Sequence, residues 1–330
     1  MLHLAAILLT AVYIASPKTY FVYEDYERHG VVCEAEEVLT GIYTDSSYVE
    51  LERKTAPQDI YITYLNQGSP FPSDFVTLCT VKDRLPLIVY RPTDYSYDDI
   101  GSLVSRIAQY NIPFMLQIDA SYSDKAKDFF RTVADEVHSC APKTALIWGV
   151  SSEKVGDITS LYPGDEYVDW VAVNIFEGAD REGLNIDPYP FYAMLSYFER
   201  SKPVMLNISV ASYTEDGHRY FAYEAADEIE RLYSKAEETA AICAVNYISR
   251  SSSQGSADAN NSQAVLKAIG SAVQGITKAD KIRLPMLAHQ YNNSFYCGKG
   301  AVCTEDEYCI LNGRRYYKIS GRAGYSFVEN

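Results

Sequence analysis

Positive charge is in short supply: 29 Lys and Arg stand against 44 Asp and Glu in 330 residues, a formal net charge of -15. A long-range field of that sign repels polyanions, so nucleic acid is excluded as a partner. Histidine is scarce too, with five residues scattered along the chain. The seven cysteines, at 33, 79, 140, 243, 297, 303 and 309, include no CxxC pair. Neither set supplies the closely spaced nitrogen and sulfur ligands of a zinc site, and no metal or other cofactor is expected. Also missing are GxSxG, HExxH and GxxxxGK, the patterns of a serine nucleophile elbow, a zinc protease helix and a phosphate cradle. Tryptophan is limited to Trp148 and Trp170.

What is present is apolar surface, 47% hydrophobic residues against 22% charged, enough for one large core with an appendage. Residues 2–15, LHLAAILLTAVYIA, form one apolar run of signal-sequence length, shorter than the roughly 20 residues of a membrane span. Residues 1–16 are therefore expected to be a signal peptide or apolar N-terminal segment, and the protein to be secreted or associated with the cell envelope. Residues 17–37 form a flank.

From residue 38 onward, short runs rich in β-branched and aromatic residues alternate with longer amphipathic ones. The apolar runs are GIYT, DIYITYL, LPLIVY, PFMLQID, ALIWGV, WVAVNIF, PVMLNISV and AICAVNYI. Each is bounded by Pro, Gly or Asp in the manner of a strand buried on both faces. Between them SSYVELERK, YDDIGSLVSRIAQYN, DKAKDFFRTVADEVHSC, FYAMLSYFER, EAADEIERLYSKAEE and, last, SQAVLKAIGSAVQGI repeat apolar residues every three or four positions, the period of a helix. Eight such units over residues 38–275 predict an α/β fold, a closed (β/α)8 TIM barrel. Beyond Thr277 the helical period stops, and RRYYKISG and YSFVEN read as strands, so residues 280–330 are expected to form a small β-rich, Cys-containing appendage.

The run LYPGDEYVDWVAVNIF, residues 161–176, resembles the YYPGDDYVDWVGV segment of glycoside hydrolase family 26, β-mannanase-like (β/α)8 barrels. That resemblance implies a retaining glycosidase with two glutamates about 5 to 5.5 Å apart. Its acid/base segment, PIFLRFAHEMNG, corresponds to PFMLQIDAS here, which puts Gln117 in place of Arg, Ala120 in place of His and Ser121 in place of Glu. Its nucleophile segment, KPIMISEFG, corresponds to KPVMLNISV, which puts Ile208 in place of Glu, or Ser209 with a slip of one. Both glutamates are absent, and the implied ancestral chemistry with them.

Ligand-facing groups of such a barrel stand at the C-terminal ends of its strands. Tyr64, Gln117, Trp148, Asn174, Asn207 and Tyr247 are expected there, a mixture of aromatic faces and amides that suits the C–H face and hydroxyls of a sugar. Tyr43, Tyr90, Arg91, Ser209 and Asn246 stand at the same height. For each of these the plainer alternative is a side chain that fills the barrel. Asp119 and Glu177 are the candidate relocated carboxylates, in a wider, inverting arrangement, against the alternative of a hydrogen-bonded barrel carboxylate and a solvated loop charge. Asp165 and Asp169 are expected to shape the turn and the strand start, and Trp170 to pack at the barrel bottom.

Cys79, Cys140 and Cys243 sit in apolar contexts and are expected to be buried, whereas the three last cysteines suggest a disulfide in the appendage. Basic residues Arg314, Arg315, Lys318 and Arg322 beside Tyr316 and Tyr317 mark either a protein-docking surface or the tyrosine core of a small sheet. The function expected is non-catalytic: binding glycan, or a cell-surface component, or serving in its structure or assembly. The alternatives are an active mannanase- or glucanase-type hydrolase and a protein-interaction scaffold with a filled cleft.

Overall fold

The computed structural model describes residues 19–22, 38–119, 123–151, 158–180, 184, 202–214, 219–238, 242–252 and 255–278, and the strand segments 288–291, 294–297, 301–304, 308–311, 314–321 and 324–329. After a short strand β1 (Thr19–Val22) come eight more: β2 (Leu39–Thr44), β3 (Ile60–Asn66), β4 (Leu85–Arg91), β5 (Phe114–Ile118), β6 (Thr144–Ser151), β7 (Trp170–Glu177), β8 (Val204–Val210) and β9 (Ile242–Ser249). They pair in chain order, all parallel, and β9 closes on β2 through Leu39 to Thr44 against Ala244 to Ser249. The structure is thus the (β/α)8 barrel expected from the eight apolar runs.

The helices described are α1 (Tyr48–Lys54), α2 (Ser73–Lys82), α3 (Asp98–Tyr110), α4 (Asp124–Cys140), the single turn α5 (Ile158–Leu161), α6 (Ala222–Glu238) and α7 (Gln263–Lys278). Local chemistry fixes their ends. Ser47 and Ser123 accept hydrogen bonds from the Glu50 and Ala126 amides, N-caps each worth about 1 kcal/mol. Asn111 ends α3 in the left-handed region at φ 52°, which a short polar side chain tolerates. The helix expected over FYAMLSYFER, residues 191–200, lies outside the described residues.

Two apolar layers follow from period-two alternation along the strands. One set, including Tyr61, Tyr90, Leu116, Leu146, Trp148, Val171, Ile208 and Tyr247, faces the helices. The other, including Ile60, Ile62, Leu87, Met115, Ile147, Trp170 and Met205, fills the barrel axis. Trp170 packs at the bottom of the axis as expected. Cys79 and Cys243 are buried, but Cys140 is exposed: it is the last residue of α4, and the buried stripe of Val133 and Val137 continues through Ala141 instead.

β10 (Ser251–Ser252) pairs antiparallel with β11 (Gly255–Ser256). The C-terminal segments β12 (Ala288–Tyr291), β13 (Ser294–Cys297), β14 (Ala301–Thr304), β15 (Tyr308–Leu311), β16 (Arg314–Gly321) and β17 (Gly324–Glu329) form an antiparallel sheet in sequential order, with β1 added beside β17. Its backbone register sets Cys303 opposite Cys309. The side chains of these strands, and with them the expected disulfide and basic docking surface, lie outside the described residues, as does the apolar run before residue 17. Among the described residues no helix is long and apolar enough to cross a membrane.

Candidate functional site

The strands end together on one side, and alternation decides which residues see the axis there. On β5 the axis-facing series is Met115, Gln117, Asp119; on β7 it is Trp170, Ala172, Asn174, Phe176; on β8 it is Met205, Asn207, Ser209. One step above the apolar floor lies a layer of amides. The Asn207 side chain donates to Gln117 Oε1 at 3.1 Å and to Asn174 Oδ1 at 2.9 Å, and accepts from Asn246 Nδ2 at 2.8 Å. Two glycines make room for it: a Cβ on Gly41 would sit 2.0 Å from Asn246 Oδ1, and one on Gly149 would sit 2.5 Å from Gln117 Nε2. Gln117, Asn207 and Asn246 are buried and Asn174 is half-buried, and Asn246 Oδ1 has no partner among the described residues.

Above the amides is the mouth. A line of contacts crosses four neighbouring strand ends: the Tyr43 hydroxyl donates to Asp45, Tyr43 packs edge-on against Tyr64 with centroids 4.7 Å apart, the Arg91 guanidinium lies 4.1 Å over the Tyr64 ring, and Arg91 Nε donates to Asp119 Oδ2 at 3.0 Å. Burial raises the Tyr64 hydroxyl pKa, and the neighbouring Arg250 and Arg91 oppose that rise. From the opposite side Arg250, just past β9, lies 4.5 Å over the exposed ring of Phe176 and 5.9 Å over Tyr64.

Four expected site residues stand elsewhere. Trp148 faces the helical layer, 6% exposed, with its ring edge-on to Tyr162 at 5.2 Å, and is no platform for a sugar. Tyr247 is fully buried on the same side, its hydroxyl donating to Ala257 O at 2.9 Å. Ile208 is helix-facing as well, so the axis-facing member of its pair is Ser209, whose hydroxyl donates to Ile248 O at 2.9 Å. Glu177 shares the side of Val173 and Ile175 and lies buried against α6, not in the mouth with Asp119. There burial first, and the adjoining Glu228 carboxyl second, push it up to about 8, against the pull of Arg231. Glu228 itself is held by a two-pronged ion pair with Arg231. Ser121 lies outside the described residues. Tyr64, Gln117, Asn174, Asn207 and Asp119 do gather around the axis.

The signal that separates the two groups was in the sequence. Adjacent residues on a strand point to opposite faces, so Tyr90 and Arg91, Asn174 and Glu177, or Asn246 and Tyr247 could not all line one cavity. Arg250 and Asp45 carried no such signal, because each stands just past a strand end.

Two solved structures overlay on this chain. One, a family 26 β-mannanase from Bacteroides ovatus, is 10% identical with a TM-score of 0.51, covering 78% of this chain and 94% of that chain. The other, a modular endo-β-1,4-mannanase from Cellulomonas fimi, is 11% identical, also at 0.51, covering 89% of each chain. The fold is similar to that of the family 26 glycoside hydrolases. At this identity the likeness is one of fold. No family model matches the sequence, and no curated protein matches it either.

The first part of the segment that carried the sequence resemblance, Leu161 to Trp170, occupies the opposite end of this family-26-like barrel. Tyr162 donates to Asp165 Oδ1 at 2.7 Å, and buried Lys202 donates to the Asp165 and Val168 carbonyls, both at 2.6 Å. Asp169 Oδ2 accepts the Leu146 amide at 2.8 Å and faces His138 Nε2 at 3.1 Å. These bonds pin the approach to β7 to β6, β8 and α4. Asp165 and Asp169 are architectural, Asp169 through bonds across the fold and not only within its own turn.

Proposed function

We propose that this chain is a non-catalytic barrel that binds glycan at its mouth, secreted or held at the cell envelope. The observation that supports the reading most is the state of the carboxylates. Glycoside hydrolysis needs two of them flanking one bond, about 5 to 5.5 Å apart for retention and about 6.5 to 9.5 Å for inversion. At the mouth Asp119 is engaged by Arg91 and Asp45 by Tyr43, with Tyr64 between. Glu177, the candidate second member, is on the helix-facing side of the wall. Toward the axis the described residues include Tyr64, Phe176, Arg91, Arg250 and the amides, groups that stack and hydrogen-bond.

The test is affinity electrophoresis of the full chain in gels containing mannan, mixed-linkage glucan or xylan, beside an assay for released reducing ends. Retardation without hydrolysis is expected, weakened by Tyr64→Ala. Release of reducing ends that Asp119→Asn abolishes would return the protein to the active hydrolases. No retardation in any gel would instead favour the interaction scaffold, to which the filled amide layer lends itself.

A further inference from the structure

Arg250 has a peculiar place in an acidic protein. Among the described residues no carboxylate or carbonyl accepts a hydrogen bond from it, whereas Arg91, its counterpart across Tyr64, is already matched by Asp119. Its guanidinium lies 4.5 Å over Phe176 and 5.9 Å from Tyr64, the ring that Tyr43 packs against. A planar, permanently charged fork over an aromatic face is suited to bidentate pairing with a carboxylate, at a mouth that also exposes the ring of Phe176. The chain's net charge of -15 opposes a dense polyanion at range. A single negative group on an otherwise neutral chain meets the local field of Arg250 without that opposition.

We infer that the mouth selects a glycan bearing an isolated uronic acid, with Arg250, held over Phe176 and near Tyr64, pairing the carboxylate. This rests on the glycan-binding reading and sharpens it to an acidic sugar. Isothermal titration of the full chain with a xylo-oligosaccharide carrying one glucuronic acid, set against the same oligosaccharide with that carboxyl reduced to the alcohol, separates the two. Binding at least tenfold tighter for the acid is expected. Arg250→Ala should remove the preference while leaving the thermal midpoint in place, and Arg250→Lys should restore only part of it, because an ammonium keeps the charge and loses the fork. Equal binding of the acid and its reduced form, or a preference that survives Arg250→Ala, would overturn the acidic-sugar inference and leave glycan binding standing. Binding of neither, in the xylo-, manno- and gluco-series alike, would remove both. Equal affinity for polyglutamate would also overturn it, since the site would then read charge and not sugar.

Discussion

The two ends of the barrel are built on opposite terms. At the end where strands begin, buried charge is met by fixed partners: Lys202 by two carbonyls, Asp169 by an amide and an imidazole. At the end where strands finish, polar groups are left with capacity to spare: Asn246 Oδ1 and Glu177 Oε2 lack partners among the described residues, and Arg250 rests on rings alone. Barrels of this kind place stability at the first end and ligand chemistry at the second. Here the Tyr-Pro-Gly-Asp and Asp-Trp part of the sequence resemblance lies in the stabilising end.

Mutations at each end should separate these terms. Lys202→Met leaves the Asp165 and Val168 carbonyls buried without a donor and should lower stability by about 3 kcal/mol or more in urea unfolding. Asp169→Asn replaces an anionic acceptor bridging Leu146 and His138 and should cost about 2 kcal/mol by the same measurement. An effect of either below about 0.5 kcal/mol would break the contrast.

Glu177 gives a pH-dependent version of the comparison. Its carboxyl is raised to about 8 in the folded chain from an ordinary 4.5, so the folded state keeps a proton that the unfolded chain releases. Its stabilising contribution is complete below about pH 4.5 and is lost as pH rises through about 8. The urea midpoint should therefore fall between about pH 5 and pH 9, by the equivalent of roughly 1–2 kcal/mol, and Glu177→Gln should flatten the fall. A wild-type profile that rises over this range would show that other groups dominate. Smallest of all, Arg250→Ala should alter stability by no more than about 0.5 kcal/mol, as befits a rim side chain with no hydrogen bond to lose.

The barrel was legible because its strands are buried on both faces and so read as unbroken apolar runs, each of which became a strand. The mouth was legible only by half. Tyr64, Gln117, Asn174 and Asn207 came together around the axis, while Trp148, Tyr247, Ile208 and Glu177 turned to the helices. Height along a strand can be counted from its end, but facing requires the parity of every strand to be fixed against a common axis, and a single reversed residue exchanges core for cavity.

Sequence alone determined the number and order of the units and the closed parallel barrel that follows from them. Those depend on local pattern, which the chain carries in its own text. Only the folded chain decided that Asp119 is neutralised by Arg91, that Glu177 meets Glu228 and not the mouth, and that Arg250 is set over Phe176. The physical reason is that a charge takes its character from neighbours far away in sequence, as Phe176 and Tyr64 are from Arg250, brought within a few ångströms by closure of the sheet.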